Sequence, residues 1–290
     1  MYQTYFPKEY VSCFRDTMPR LAYTWNRKAD AGYAPPRILH RHKDTTEIML
    51  VTGGTISYTM DDVRYTIKEG DLLIINAGVR HDEDARIAQH TRMFGVGIEN
   101  LKLKDLPDHF LIPQTTYPIL SLDETDYHAV YELMHLINQL AEQSDRHTEL
   151  CQMLGCSLVC LVQQIVAGNL HEEPVMAGDR MLTTRIQDYI ENHYAEDIDL
   201  KTIGKALHIS SYYLAHVFKE STGYPLMQYV IRLRMGKAQE LLQYTSYSIT
   251  QIAGMVGYDN ASHFNTMFTK NIGMSPGKYR KSSAARKKDL

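Results

Sequence analysis

The chain has 290 residues, of which 44% are hydrophobic and 22% charged, so it can bury two domain cores and is neither disordered nor fibrous. Its net charge of −3 is unevenly divided: residues 1–179 contain 16 Lys and Arg against 25 Asp and Glu (−9), and residues 180–290 contain 15 against 9 (+6). The acidic first part is therefore excluded as a nucleic-acid surface, whereas the basic second part is suited to one.

The N-terminus and the cysteines indicate a cytoplasmic protein. The first residues contain no basic segment followed by an apolar core, so we expect no signal peptide. The longest apolar runs, such as residues 158–162, are too short to cross a bilayer, and we expect no membrane partner. The four cysteines follow neither a disulfide framework nor a zinc motif and are expected to be reduced core residues. They are Cys13, Cys151, Cys156 and Cys160.

Residues 1–120 are rich in predicted strands. Apolar and β-branched runs at 47–51, 55–60, 63–67 and 72–75 are separated by turn residues, and residues 63–67 alternate with a period of two. Short strands at this spacing predict an antiparallel barrel or sandwich.

Two helices are predicted within residues 121–170. The first spans 123–143, with Ser121 as its N-cap, and the second spans 147–167. The second helix carries a continuous apolar stripe, which either packs on the barrel or forms a two-helix dimer seam. The stripe consists of Leu150, Leu154, Leu158, Leu161 and Ile165. Residues 171–180, which contain a proline and a glycine, are predicted to be the interdomain linker.

Residues 181–284 are predicted to be helical and contain an internal repeat. Leu200, Ile203 and Leu207 recur as Ile249, Ile252 and Val256 at an offset of 49 residues. Five further positions recur at an offset of 50: Leu214, Val217, Phe218, Gly223 and Tyr229 match Phe264, Met267, Phe268, Gly273 and Tyr279. Such a match indicates that one helix–turn–helix unit occurs twice.

In each unit, the second helix is predicted to turn a polar face away from its apolar face. Asp199 caps the first unit's support helix, and Asn260 caps the second unit's reading helix. A polar face of this kind can enter the major groove, where base edges offer distinct donors and acceptors. The outward residues are Tyr212, Ala215, His216 and Lys219 in the first unit, and Ala261, Ser262, His263 and Thr266 in the second.

A helix predicted from Pro225 to about Gln243 separates the two units. Its 19 residues span roughly 28 Å, close to the ~34 Å between successive major-groove faces on one side of B-DNA. The spacing therefore suits two reading helices in adjacent turns. Nearby basic residues are expected to contact phosphates, which positions the protein without reading sequence. These residues are Lys219, Arg232, Arg234, Lys270, Lys278, Arg280 and Lys281.

Residues 186–281 closely resemble the DNA-binding domain of the AraC/XylS family of bacterial transcription regulators. The resemblance is strongest in segments 188–190, 218–225, 232–238, 249–258 and 273–280. It implies base contacts at Tyr212, Ala215 and His216, and at Ala261, Ser262, His263 and Thr266. The sequence departs from the family at His208, where a turn glycine is usual and where we expect a positive φ angle. His216 and Thr266 also stand where the family often has a basic residue.

Residues in the first part resemble the two cupin motifs. His40, His42, Glu47 and Gly54 match the first motif, and Gly70, Gly78 and His81 match the second. Asn76 stands where proline is usual, and Ala85 stands where asparagine is usual. The resemblance implies that His40, His42, Glu47 and His81 converge inside a barrel, where they could bind a divalent transition metal.

Three interpretations of these four residues remain open. A bound metal would allow oxygenase or isomerase chemistry, in a metal-dependent cupin enzyme fused to a DNA-binding domain. Regulators of the resembled family instead use similar residues as polar groups in an effector pocket. His40 and His42 could also lie at the barrel mouth, bonded to loops. We favour sensing without catalysis, because the DNA-binding domain makes sensing the more useful activity.

The resemblance implies a small polar effector, most often a sugar or a sugar derivative. Tyr23, Trp25 and Tyr33 could stack on a sugar ring, and Arg37 could bind its hydroxyl groups. The expected effector pocket therefore comprises Trp25, Arg37, His40, His42, Glu47 and His81.

The expected fold is α+β and multidomain: a cupin-like antiparallel barrel with two helices, then an all-α double helix-turn-helix domain. The expected function is that of a DNA-binding transcription regulator, an activator by family tendency. It would act as a homodimer with double-stranded DNA at the cytoplasmic nucleoid, and would contact RNA polymerase if it activates.

Overall fold

The computed structural model describes residues 11–27, 37–61, 63–83, 91–143, 147–168 and 180–288, the side chains of 180 and 283–288 excepted. Tyr33 and Ala85, named above, lie outside the described residues. The described chain forms an antiparallel sheet domain followed by helices, which confirms the expected fold class.

Eight strands build the described part of the first domain. A five-stranded sheet has the order β1-β7-β2-β5-β8, and a three-stranded sheet has the order β4-β3-β6, with every pairing antiparallel. The strands are β1 Arg20–Arg27, β2 Thr45–Gly53, β3 Thr55–Met60, β4 Val63–Lys68, β5 Asp71–Ile75, β6 His81–Glu83, β7 Arg92–Glu99 and β8 Ile119–Ser121. Gly54 and Gly70, at φ +80° and +89°, make turns that few other residues adopt.

Both faces of β2 are buried, for two different reasons. Ile48 and Leu50 face the helices in one hydrophobic cluster, whereas Met49 and Val51 fill the barrel interior in another. Successive side chains of a strand point to opposite faces, so Glu47 belongs to the inward row with Met49 and Val51. The strand therefore places a carboxylate inside the barrel.

Helices α1 (Glu124–Gln143) and α2 (Thr148–Gly168) cover the outer face of the larger sheet. Ser121 is not the N-cap of α1, which is a correction to the sequence prediction. Ser121 ends β8 and its hydroxyl donates to Asp71, whereas the Asp123 carboxylate accepts from the Asp126 backbone N–H at 2.8 Å. The carboxylate nearer the helix start thus takes the capping role.

The apolar stripe of α2 is divided between two environments. Leu158 and Ile165 are buried in the cluster shared with the barrel, whereas Leu150 is 48% exposed. By length and composition α2 could also cross a membrane, a test that buried core helices pass equally, and 44% of its most apolar window is buried within the protein.

The second domain contains α3 (Arg180–His193), α4 (Leu200–Leu207), α5 (Ser211–Thr222), α6 (Leu226–Tyr244), α7 (Ile249–Met255), α8 (Ala261–Ile272) and α9 (Pro276–Lys288). Asp199 and Asn260 cap α4 and α8 as predicted. His208 has φ +58°, as expected for the position that ends α4. Gly223 and Gly273 end α5 and α8 in the same left-handed conformation, so the repeat is also a repeat of capping geometry.

The barrel packs directly on the helical domain. Ile38 and Leu39, which precede the predicted cupin histidines, belong to the hydrophobic cluster of the helical domain. Their partner is α6, the helix between the two helix–turn–helix units. The structure thus joins the first domain to the element that separates the predicted reading helices.

Candidate functional site

The two predicted reading helices, α5 and α8, are held by buried aromatic residues and expose their polar faces. Phe218 of α5 and Phe264 and Phe268 of α8 are completely buried. The burial patterns of residues 211–222 and 261–272 agree at every position but one. Both helices therefore have the same orientation on their support helices.

The predicted base-contacting residues lie on these outer faces. Tyr212 is 85% exposed, and Ala215 and Ala261 are partly buried at the helix edge. The remaining members, His216, Ser262, His263 and Thr266, are exposed. His216 Nε2 lies 3.3 Å from Glu220 Oε1 on the same helix. Nothing in the described chain covers either face.

The predicted phosphate contacts fall into two groups. Lys219, Lys270 and Lys278 are exposed around α5, α8 and the start of α9. The three arginines instead have partners within the protein. Arg234 donates to the backbone carbonyls of residues 194 and 196, and Arg280 donates to the carbonyl of residue 247. Arg234 and Arg280 thus connect separate segments of the helical domain by hydrogen bonds.

Arg232 forms an ion pair with Asp82 of the barrel, 150 residues away in sequence. The Arg232 Nε atom is 2.7 Å from Asp82 Oδ2, and the Asp82 side chain is 3% exposed. Burial raises the pKa of Asp82 to about 6, against the opposing effect of Arg232. Arg232 cannot reach a DNA phosphate while this ion pair persists.

The four residues of the cupin motifs come together at one end of the barrel. One ligand atom from each of His40, His42, Glu47 and His81 can be chosen so that all lie within 4.8 Å of one another. A backbone bridge pairs His40 with His81, and inward-facing Glu47 supplies the carboxylate. His81 Nε2 is 3.1 Å from Glu47 Oε2, and His42 Nε2 is 3.6 Å from Glu47 Oε1.

Tyr23 reaches this cluster across a glycine. Tyr23, Gly97 and Glu47 are in register on three adjacent strands, and a Cβ atom at Gly97 would lie 2.3 Å from the Tyr23 ring. Because residue 97 has no side chain, the Tyr23 hydroxyl crosses it and donates to Glu47 at 2.6 Å. Trp25 lies over Gly95, is packed against the hydrophobic cluster of the barrel, and does not line the cleft at the barrel mouth.

The surroundings of the cluster keep the imidazoles of His40 and His42 neutral and the carboxylate of Glu47 charged. Burial lowers the pKa of His42 to about 4 and also lowers the pKa of His40. Burial opposes ionisation of Glu47, but the nearby His81, His42 and Arg37 outweigh it and hold the pKa of Glu47 below its usual range. Neutral imidazoles and an ionised carboxylate are the protonation states that bind metal.

The donor set fits a divalent transition metal. Within the described chain, His40 Nδ1 and His42 Nε2 are buried without a hydrogen-bond partner, and such nitrogens usually have one. His40, His42, Glu47 and His81 would hold the ion. A bound ion would supply a Lewis-acidic position for an oxygen atom of a ligand.

Zinc binding tests this fit. We expect the full chain to bind one equivalent of Zn²⁺ in isothermal titration calorimetry. Glu47→Gln removes a ligand and should weaken binding at least as much as the roughly 10–100-fold that loss of a supporting partner causes. His128→Asn changes an exposed histidine of α1 outside the cluster and is the control. If no saturable zinc binding is observed, the four residues are not a metal site and only line a polar pocket.

Sequence reasoning missed the contacts between the two domains. The Ile38 backbone N–H donates to Gln239 of α6 at 3.0 Å, and Arg80 pairs with Asp188 and Glu191 of α3. A Cβ atom at Gly236 would lie 2.2 Å from the Leu39 carbonyl oxygen. A glycine in the interior of a helix often marks such a close approach and was the available signal.

The comparisons with known proteins agree with this architecture. A family described as a helix-turn-helix domain matches residues 203–282, and one described as a cupin domain matches residues 30–94. The HTH-type transcriptional activator RhaS of Escherichia fergusonii is 29% identical over 257 residues, covering 82% of this chain and 86% of that protein. The uncharacterized HTH-type transcriptional regulator YdiP of Escherichia coli K12 is 23% identical over 266 residues, covering 91% and 86%.

Two solved structures of single domains are similar to about a third of the chain. The C-terminal domain of AraT, a response regulator from Geobacillus stearothermophilus, is 36% identical, with 34% of this chain and 84% of that chain covered and a TM-score of 0.34. The DNA-binding domain of AdpA, solved with a target DNA, is 27% identical, with 36% and 94% covered and a TM-score of 0.35.

The cupin barrel and the duplicated helix–turn–helix unit together define a DNA-binding transcription regulator with a sensor domain. Its second domain resembles the DNA-binding domain of the AraC/XylS family, and the relatives named above are HTH-type transcription regulators.

Proposed function

We propose that the protein reads a specific DNA site by placing α5 and α8 in successive major grooves, and that its barrel senses a small polar effector of the carbohydrate class. The observation that carries the DNA-reading part is the matched exposure of two polar helix faces, on two helices that each end at a left-handed glycine. The support helices bury the apolar sides of α5 and α8, so only the polar sides of these two helices can contact a DNA duplex.

The proposed contacts divide by chemistry. Tyr212, Ala215 and His216 of α5, with Ala261, Ser262, His263 and Thr266 of α8, contact base edges. Lys219, Lys270 and Lys278 contact phosphates, since their charges are exposed at the margins of the reading faces. Arg232 joins them only when its ion pair with Asp82 opens.

The barrel is proposed to sense rather than to catalyse. The relatives described above are transcription regulators, and one carries the name activator. An activator would contact RNA polymerase and would act in the cytoplasm at the nucleoid. The effector would favour one arrangement of barrel and helical domain, and so change DNA affinity by population shift.

A homodimer is proposed through α1 and α2. Leu136, Leu150 and Met153 are 40%, 48% and 53% exposed on these helices, although α2 buries its other side on the barrel. Two chains joined there would place two pairs of reading helices on neighbouring half-sites.

Single substitutions can separate base reading from phosphate contact. On a site selected from random DNA, His216→Ala should lose about 1–3 kcal/mol of discrimination at one base position. Lys278→Ala should weaken binding to all sequences and reduce the slope of log K against log salt by about 0.9. Fluorescence anisotropy at several salt concentrations measures both quantities. If the two variants change specificity and salt slope alike, the assignment of roles is wrong.

A further inference from the structure

Two cysteine side chains meet where the segment before β1 crosses α2. Cys13 Sγ lies 3.7 Å from Cys160 Sγ, although the two residues are 147 positions apart in the sequence. Both thiols are free and partly buried, whereas the free thiols of Cys151 and Cys156 are buried. A small oxidant can therefore reach Cys13 and Cys160 more easily than the other two cysteines.

The backbone holds both members of this pair in place. The Cys13 carbonyl accepts from the Lys104 N–H at 3.1 Å, and the Arg15 N–H donates to the Lys102 carbonyl at 2.7 Å. Cys160 lies within α2, whose buried side packs on the barrel. Because each cysteine belongs to a segment with its own contacts, the two sulfur atoms are kept close to each other.

We propose that Cys13 and Cys160 form a redox-active pair, which a small-molecule disulfide such as oxidised glutathione converts into an intramolecular disulfide bond. This modification site uses none of the residues assigned to DNA or to the histidine cluster, and it goes beyond the proposed function. An S–S bond is about 2.05 Å long. Rotation of the cysteine side chains about their Cα–Cβ bonds can bring the two sulfur atoms to that distance.

The exchange takes place in two steps. The Cys13 thiolate attacks one sulfur of the glutathione disulfide, the S–S bond between the two glutathiones breaks, and one glutathione leaves as a thiolate. Cys160 then gives up its proton, its sulfur attacks the Cys13 sulfur of the mixed disulfide, and the second glutathione leaves. Two protein thiols are oxidised to one disulfide, and one glutathione disulfide is reduced to two thiols, which take up the two protons.

The surroundings assign Cys160 to the second step. Burial, together with the neighbouring Cys13, raises the pKa of Cys160 to about 11, so this thiol keeps its proton near neutral pH. Once Cys13 is part of a mixed disulfide it carries no charge, and its contribution to the raised pKa of Cys160 is removed. The second step therefore becomes easier after the first has taken place.

Cys156 is the competing partner for Cys13. It lies about one turn before Cys160 on α2, but its side chain is buried and its thiol donates to the Pro19 carbonyl at 3.6 Å. The Cys160 thiol instead contacts the Cys13 thiol directly. The geometry therefore favours a bond between Cys13 and Cys160.

Thiol counting and peptide mapping on the full chain test the inference. The reduced protein is equilibrated with buffers of increasing oxidised-to-reduced glutathione ratio, and free thiols are then counted in urea. We expect the count to fall from four to two. Tandem mass spectrometry of the unreduced digest should locate the bond at Cys13 and Cys160; fragment ions are needed because no lysine or arginine lies between residues 147 and 179. The oxidised protein should also have a higher urea midpoint, since a crosslink over so long a loop restricts the unfolded chain.

Three variants separate this pair from the other thiols. Cys160→Ser should stop at a mixed disulfide between Cys13 and glutathione, and Cys13→Ser should form neither product. Cys156→Ala is the control and should form the same bond as the unaltered chain. The inference is overturned if all four thiols of the unaltered chain survive the most oxidising buffer, if the bond joins two chains, or if it involves Cys151 or Cys156.

Discussion

Gly236→Ala is expected to separate the barrel from α6 while making α6 itself more stable. The added Cβ would lie 2.2 Å from the Leu39 carbonyl oxygen and 2.8 Å from that of Ile38. Both are backbone atoms and cannot rotate away. Alanine stabilises a helix interior by about 1 kcal/mol relative to glycine, so helix stability and domain contact should change in opposite directions. Small-angle scattering should show a larger radius of gyration.

Gly254→Ala is the matched control for that prediction. Gly254 lies in α7, and a Cβ atom there would meet nothing within 4 Å. This variant should gain helix stability and keep the compact arrangement of the domains. If Gly236→Ala behaves in the same way as Gly254→Ala, the close packing of the barrel on α6 is not a feature of the protein in solution.

Arg232→Met is expected to lower the free energy of unfolding by about 3–5 kcal/mol. The loss arises because Asp82, 3% exposed, would remain buried without its cation. Asp82 Oδ1 has no hydrogen-bond partner among the described residues, and the Leu39 backbone N–H is the other group that stabilises the carboxylate besides Arg232. Asp82→Asn combined with Arg232→Met should recover much of the loss, since no buried charge is then left unpaired. Urea unfolding of the unaltered chain, Arg232→Met, Asp82→Asn and the double variant gives a double-mutant cycle for the pair.

Asp188→Asn offers the contrast for the ion-pair prediction. Asp188 pairs with Arg80 across the same domain boundary, but its side chain is 56% exposed. An exposed pair contributes about 0–1 kcal/mol, so this variant should unfold almost like the unaltered chain. Equal losses for Arg232→Met and Asp188→Asn would contradict the claim that burial makes the Arg232–Asp82 pair important.

The two predictions bear on regulation, because the same contacts connect the sensor to α6. Asp82 adjoins His81, and Leu39 adjoins His40, so both contacts with α6 are one residue from the histidine cluster. A movement of the histidine cluster would therefore shift residues that contact α6 directly. Release of Arg232 would also free a cation at the DNA-binding domain, where it could then contact a phosphate.

The features that were predicted correctly from the sequence are those that depend on local residue patterns. Apolar and β-branched runs between turn residues located β2 to β5, and the repeat at 49 and 50 residues located both helix–turn–helix units. The capping roles of Asp199 and Asn260 were also predicted. Each of these depends on neighbours within a few residues. The histidine cluster was also anticipated, because the cupin motifs carried the spacing.

The features that sequence missed depend on tertiary contacts. Nothing local distinguishes Arg232, which pairs with a residue 150 positions away, from a basic residue that faces DNA. Trp25 was assigned to the effector pocket on its chemistry, whereas its register opposite Gly95 packs it against the hydrophobic cluster of the barrel, a contact that the sequence did not indicate. Ser121 was chosen as a cap although Asp123 lies nearer the helix start, because hydrogen bonding within the sheet was not visible from sequence.

Chemical footprinting on a site selected from random DNA tests the central claim most directly. Methylation interference should locate two protected major-groove segments for one helical domain, about 10 base pairs apart on one face of the duplex. His216→Ala should remove interference in one segment only, and Thr266→Ala should remove it in the other. A single protected segment that both substitutions abolish, or contacts confined to the minor groove, would contradict reading by α5 and α8 in successive turns.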